Sequence, residues 1–284
     1  MLSAARLFAR LAGGALFAAL FAILFWPTFV WMAERFDAHD SFYSHGWLIP
    51  LASGWLIWQR RAQLLACNQH ASSWGLALLV PSLLIHVLAS WWNLHVVSGI
   101  AVLTSIWALV WTCWGWRMLW VLRFPMLFLI FMVPLPGVLL IAISFKMKLM
   151  AAALATHAVR IIGITAVQAG SMIQVPGMSV IVDDTCSGLR SLISLIALST
   201  LWTSMMPAKS KLWHKLAIVA ASIPIALVAN MVRIVALILL SAIYGPQVAE
   251  SFIHYGSGVV VFGIALWALW WLSRILVRPA NAAA

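Results

Sequence analysis

The chain has 284 residues, 65% of them hydrophobic and only 8% charged, with a formal net charge of +11. Soluble domains carry about 25% charged residues, and several apolar runs here reach the roughly 20 residues that cross a bilayer, so an ordinary soluble protein is excluded. The 17 Lys and Arg are scattered singly or in pairs between apolar runs, which excludes a nucleic-acid footprint.

In chain order, hydropathy predicts span 1 over 11–31, retained rather than cleaved because no small-residue cleavage site closes it. An acidic, aromatic loop containing Glu34, Asp37 and Asp40 follows. Span 2 is expected over 44–59, span 3 over 74–92, span 4 over 95–115 and span 5 over 120–141, the last interrupted by "PLPG" at 134–137. Residues 142–168 carry Lys146, Lys148, His157 and Arg160 in an apolar background, the pattern of an interfacial amphipathic helix. "GSMIQVPGMSVIVDD" reads as a short extracytoplasmic hairpin or extended loop. Span 6 is expected over 186–206, span 7 within 213–243 and span 8 over 252–272. The expected fold is therefore an all-α integral membrane protein of about eight spans, one membrane domain over 1–284 with no separate soluble domain.

Charge orients it. With the N-terminus in the cytoplasm, 11 Lys and Arg fall on the cytoplasmic side and all six acidic residues on the outer side. The Lys and Arg bias is the meaningful part. Both termini come out cytoplasmic, and "DDTCSGLR" comes out at the outer boundary, at the head of span 6.

The chemistry gathers there. Cys186 and Arg190 are four apart, on one face of an expected helix. Asp184 or Thr185 would cap that helix, and Asp183 with Asp184 suits its dipole. The helix N-terminus and Arg190 would favour a thiolate at Cys186, and free N–H groups there suit an oxyanion. Ser187 and Gly188 are small enough for another chain to approach closely. Arg233, deep in span 7, needs a bundle interior or a watery cavity. It is about ten residues, or about 15 Å, before the outer end of span 7, deeper than Cys186, a gap that arginine reach with a sunken cavity, or a break near Asn230, would close. His254 sits near the outer end of span 8. Thiol, guanidinium and imidazole make an acyl-transfer set. Each also has a bland reading. Membrane cysteines commonly pack, as Cys67 and Cys113 are expected to. Interfacial histidines and snorkelling arginines are ordinary, and Arg190 can simply pair with Asp183 or Asp184. The three cysteines give neither a disulfide framework nor a metal spacing, and no cofactor or metal is expected.

"DDTCSGLRSL", "ANMVRIV" and "FIHYGSG", with "FYSHGWLIP", "PLPG" and "VPGMSVIV", resemble the exosortase/archaeosortase family in order and over nearly the whole chain. The resemblance implies a multi-spanning cysteine protease and presumed transpeptidase of the bacterial inner membrane, its site facing the periplasm. Its implied partners are exported proteins ending in a Pro-Glu-Pro motif, a transmembrane helix and a basic tail, and its genes often neighbour those for exopolysaccharide. Carried over by motif, the nucleophile is Cys186, the family arginine Arg233 and the family histidine His254. The histidine places the chain with the bacterial branch, resembling the compact exosortase B group. "DDT" at 183–185 departs from the family's "EA" before the cysteine. Arg190, Lys146 and Lys148 are candidates to meet the signal's glutamate, and His45 to shape the mouth of the site. The acceptor nucleophile is left open. Rival readings are a transporter or channel, and a non-catalytic scaffold for exopolysaccharide assembly.

Overall fold

The structure, a computed structural model, describes residues 14–38, 41–67, 70–183, 187–207, 210–245 and 252–276. Its helices are α1 (Gly14–Leu24), α2 (Trp26–Asp37), α3 (Leu48–Gln59), α4 (Arg61–Leu65), α5 (Trp74–Trp91), α6 (His95–Phe128), α7 (Gly137–Ile161), α8 (Leu189–Ser204), α9 (Leu212–Tyr244) and α10 (Phe252–Leu276). The expected all-α membrane architecture holds. Among the described residues five helices are long and apolar enough to cross a bilayer, or six with the bent pair α1–α2 counted as one. The expected eight spans are not all of that length: α3 and α8 have 12 and 16 residues. The chain forms two compact units, one from residues 1–38 and 44–134, the other from 39–43 and 135–284.

The first unit is organised by two breaks. α1 and α2 bend by 64° at Phe25, where Pro27 in the first turn of α2 has no N–H to continue the ladder. The carbonyl of Leu24 is met by His86 of α5, whose Nε2 donates to it at 3.0 Å. That fixes the tautomer, so His86 Nδ1 accepts from the Ser98 hydroxyl at 2.7 Å, and Ser98 in turn shares a hydrogen bond with Thr28. His86 is a buried, fully engaged capping residue of a broken membrane helix.

The second break is Gly115. It sits inside α6 with φ 83° and ψ 177°, a conformation that L side chains avoid, and a Cβ there would stand 2.2 Å from the His70 carbonyl oxygen. The helix doubles back at this point: near its start, a Cβ on Gly99 would press on Val133, beyond its end. Met118, Leu122 and Met126 pack on Ile106, Val110 and Trp111 in the same hairpin. The two expected spans over 95–115 and 120–141 are therefore two arms of one element. The second arm ends earlier than expected, in a 3-10 turn over Leu129–Met132, so "PLPG" separates helices instead of interrupting one. This unit is electrically polarised. Arg60 Nη1 donates to the Val121 carbonyl at 3.2 Å, bringing the Arg60–Arg61 segment to the Arg117–Arg123 segment. At the other end of α3, Trp47 Nε1 donates to Asp37 at 2.9 Å.

In the second unit, the expected hairpin is a three-stranded antiparallel sheet: β1 (Val167–Ala169), β2 (Met172–Val175) and β3 (Met178–Ile181). Ala169 pairs with Met172 and Val175 with Met178 across two-residue turns. Strand alternation turns Ile173 and Val175 inward, onto Ala152, Ala155 and Val159 of α7 and onto Ile234 and Ile238 of α9. α7 itself differs from the expectation of an interfacial helix over 142–168. It begins straight after "PLPG" and is long and apolar enough to cross a bilayer. The buried cluster that joins it to α9 nevertheless engages only Ile234 and Ile238, about one turn of that helix. Below that level α8, α9 and α10 pack through Leu195, Ile218, Ala226, Ala265 and Leu269.

Candidate functional site

α8 begins at Leu189, with Gly188 as its N-cap in the left-handed region (φ 78°). The bend places Gly188 against α9: a Cβ built there would lie 2.8 Å from Asn230 Cγ and 2.9 Å from its Nδ2. Asn230 is buried at 5% exposure, and Ser187, just before the glycine, at 1%. Ser187 Oγ accepts from the Leu189 N–H at 3.3 Å, which closes the turn. Three residues along α9, on the same side of the helix, Arg233 Nε donates to Ser257 Oγ of α10 at 3.3 Å. Its guanidinium lies over Gly258, where a Cβ would approach Cζ to 3.5 Å. Ser191, Asn230, Arg233 and Gly258 line one small cavity, with Leu195 and Phe262 beneath them. It has room for about one water molecule. Three helices thus converge on a polar point within an apolar bundle.

Its depth follows from helix lengths. Arg233 is 21 residues into α9, about 32 Å at helical rise. Gly258 is 18 residues from the end of α10, about 27 Å. Both distances match one hydrocarbon thickness of about 30 Å, measured from the ends marked by Lys211 and Arg274. α9 then runs on past Arg233, and that excess length carries the sheet and α7. Arg233 is far from the tip of its helix because α9, at 33 residues, is longer than one hydrocarbon thickness requires. No break at Asn230 is needed, and α9 is continuous through it.

The expected site residues fall as follows. Cys186 and Asp184 lie outside the described residues, as does Thr185. α8 starts three residues later than the expected 186, after a left-handed glycine, and its N-cap is Gly188, not Asp184 or Thr185; the helical face expected to join Cys186 to Arg190 falls partly outside the described residues. Arg190 is half-buried in the first turn of α8, and Asp183 is exposed after β3. Position 254 is in the first turn of α10, three and four residues before Ser257 and Gly258, one turn further along the same side of the helix; its side chain is outside the description. Lys146 is exposed and Lys148 half-buried on α7. His45 belongs to the first unit, on the 3-10 turn (Ser44–Trp47) before α3. Burial pushes its pKa down to about 4, so the ring is neutral at neutral pH.

Ser257, Gly258 and Ser191 were not singled out by the sequence. The signal for the first two was present, since they follow position 254 at helical spacing in "HYGSG". Replacing Ser257 by Ala removes a partner of Arg233 Nε and is expected to destabilise the protein by about 1 kcal/mol, the value of one hydrogen bond, with Ser257→Thr restoring most of it; the thermal midpoint of the purified protein checks this. Gly188→Ala forces an L side chain into the left-handed region, at about 1–2 kcal/mol, and presses on Asn230. The thermal midpoint is expected to fall by several degrees, and the loss to be partly relieved in Gly188→Ala/Asn230→Ala. Equal losses in the single and double variants would show that the contact is not limiting.

The class is defined first: a multi-spanning membrane protein with a polar site where α8, α9 and α10 meet. The match to the transmembrane exosortase family covers residues 31–271, and the chain belongs to that family. No curated protein and no solved structure matches it.

Proposed function

We propose that the protein is a membrane cysteine protease and transpeptidase of the inner membrane, cleaving exported proteins at a C-terminal Pro-Glu-Pro-type signal. The observation that carries this reading is the meeting of the three family motifs. Gly188 of the cysteine motif touches Asn230 of the arginine motif, and Arg233 touches Ser257 and Gly258 of the histidine motif. Cys186 is two residues from Gly188.

In this reading the Cys186 thiolate attacks the scissile carbonyl. Arg233, held side-on by Ser257, stabilises the oxyanion or the substrate's orientation, and His254 passes a proton to the leaving amine. The acyl group remains on sulfur as a thioester, which an acceptor amine or water resolves, releasing the thiolate. Tethering enzyme and substrate in one membrane raises their effective concentration. Arg190, Lys146 or Lys148 meets the signal's glutamate.

The charge pattern supports cytoplasmic termini and a periplasmic site. The Arg60–Arg123 end and the Asp37 end of the first unit lie at opposite ends of α3, as the Lys and Arg bias requires. In the second unit, packing of α7 on α9 beyond Arg233 supports an outer cap over the site. A transporter reading would draw on the broken helix α1–α2, but its freed carbonyl is already taken by His86.

The test is co-expression with an exported reporter ending in the motif, an apolar helix and a basic tail. The reading expects the reporter to lose its C-terminal segment only when the enzyme is present. A reporter processed equally without the enzyme, or not at all with it, overturns the assignment.

A further inference from the structure

The Arg-rich end of the first unit has a property that topology alone does not require. Arg60 Nη1 is committed to the Val121 carbonyl at 3.2 Å, and its guanidinium lies 5.8 Å over the Phe124 ring. The Arg123 guanidinium lies 4.0 Å over Trp120, and that of Arg61 4.4 Å over Trp58. Flat stacking of this kind pre-organises a guanidinium and leaves its edge available to an oxyanion. Burial and the charge of Arg123 both lower the pKa of Arg60, so the two cations bear on each other unfavourably. A carboxylate would normally relieve such crowding, yet the sequence contains none between Asp40 and Asp183. Glu34 and Asp37 are the unit's acidic residues, and Asp37 is bound at the opposite end of α3, a helix of 12 residues, about 18 Å away.

The surroundings indicate where the missing anion comes from. Trp58 and Trp120 are 60% and 56% exposed in a unit whose outer surface is apolar, which is the placement of an interfacial aromatic belt. An anion reaching Arg60 and Arg123 there sits at headgroup level. We propose that Arg60, Arg61 and Arg123 form a binding site for the phosphodiester of an anionic phospholipid, whose acyl chains lie along α3 and the second arm of α6. This site is independent of the reaction proposed above and would hold the α3–α6 end together by bridging cations that otherwise repel.

The test uses the full-length protein in mild detergent and reads the thermal midpoint on adding phosphatidylglycerol, phosphatidylcholine or soluble glycerol phosphate. Phosphatidylglycerol is expected to raise the midpoint by at least about 5 °C, the shift for a ligand near 100 times its dissociation constant. Phosphatidylcholine and glycerol phosphate should leave it nearly unchanged. Arg123→Gln, which removes a guanidinium that stacks on Trp120, should lose most of that shift. The shift, and not the absolute midpoint, is compared, so a less stable variant still gives an answer. Equal shifts with both lipids, a full shift in Arg123→Gln, or a full shift with glycerol phosphate alone would each overturn the assignment.

Discussion

Replacing Cys186 by Ala is expected to reduce cleavage of a signal-bearing substrate by about 10⁴-fold or more, while enzyme level and membrane insertion stay normal. Losing a covalent nucleophile removes the intermediate itself and not merely one stabilising contact, and nucleophile knockouts in comparable machinery cost this much. Cys186→Ser should rescue little, because a serine hydroxyl is far less acidic and depends wholly on a strong adjacent base, whereas a thiol already holds about a few per cent thiolate at pH 7 and is intrinsically the better nucleophile. The sequence context supports the tolerance of folding to this change. Position 186 precedes the turn made by Ser187 and Gly188, whose packing on Asn230 involves neither sulfur nor charge. The readout is the ratio of processed to unprocessed reporter at matched enzyme abundance. Normal processing in Cys186→Ala would remove the protease reading.

Arg233→Ala is expected to cost about 10²- to 10³-fold, the range for loss of one oxyanion-stabilising group. Arg233→Lys should behave almost as badly. The observed arrangement uses Nε towards Ser257 at 3.3 Å with the guanidinium plane over Gly258. An ammonium at the end of a flexible stem has no Nε to be held side-on and no planar face to lie on the glycine. Arg233 lies about 30 Å from the basic end of α9 by helical rise, so the residues before it already make a full-length apolar span and its removal should leave insertion intact. Rates from purified enzyme in lipid, with abundance controlled by immunodetection, separate the chemical loss from a folding loss. A Lys variant with full activity would show that only the charge is used.

Much of this site was legible because its parts are polar letters in an apolar text. Cys186, Arg233 and His254 stand out by type, and the order of their segments identifies the family. What the letters did not carry was the geometry between helices. In lipid an apolar helix exposes the same kind of surface on all sides, so hydropathy does not say which helix lies beside which. Gly188 illustrates the limit. A left-handed glycine caps the helix that begins at Leu189, three residues after the start that the apolar pattern predicts, and no hydropathy signal marks it. The apparent excess depth of Arg233 had the opposite cause. Apolarity continues beyond Arg233 because α9 goes on to bury Ile234 and Ile238 against a sheet and α7.

The same reasoning covers the first unit. A glycine at the end of an apolar run carries no sign of a reversal, and the close approach of Gly99 to Val133 is what shows that the helix turns back at Gly115. His86, the buried cap of the α1–α2 bend, went unremarked within an apolar run, because a fully hydrogen-bonded histidine leaves no periodic signal. "PLPG" is legible as a break, yet it divides the two units instead of one span.

The central claim is that an acyl group passes through the sulfur of Cys186. The direct measurement is mass spectrometry of the Cys186-containing peptide from membranes in which enzyme and signal-bearing substrate are co-expressed and rapidly acid-quenched. The account predicts that this peptide carries the substrate's acyl fragment in a linkage released by hydroxylamine, and that the adduct is absent from Cys186→Ala. Continued cleavage in Cys186→Ala, with no adduct on the wild-type thiol, would contradict it.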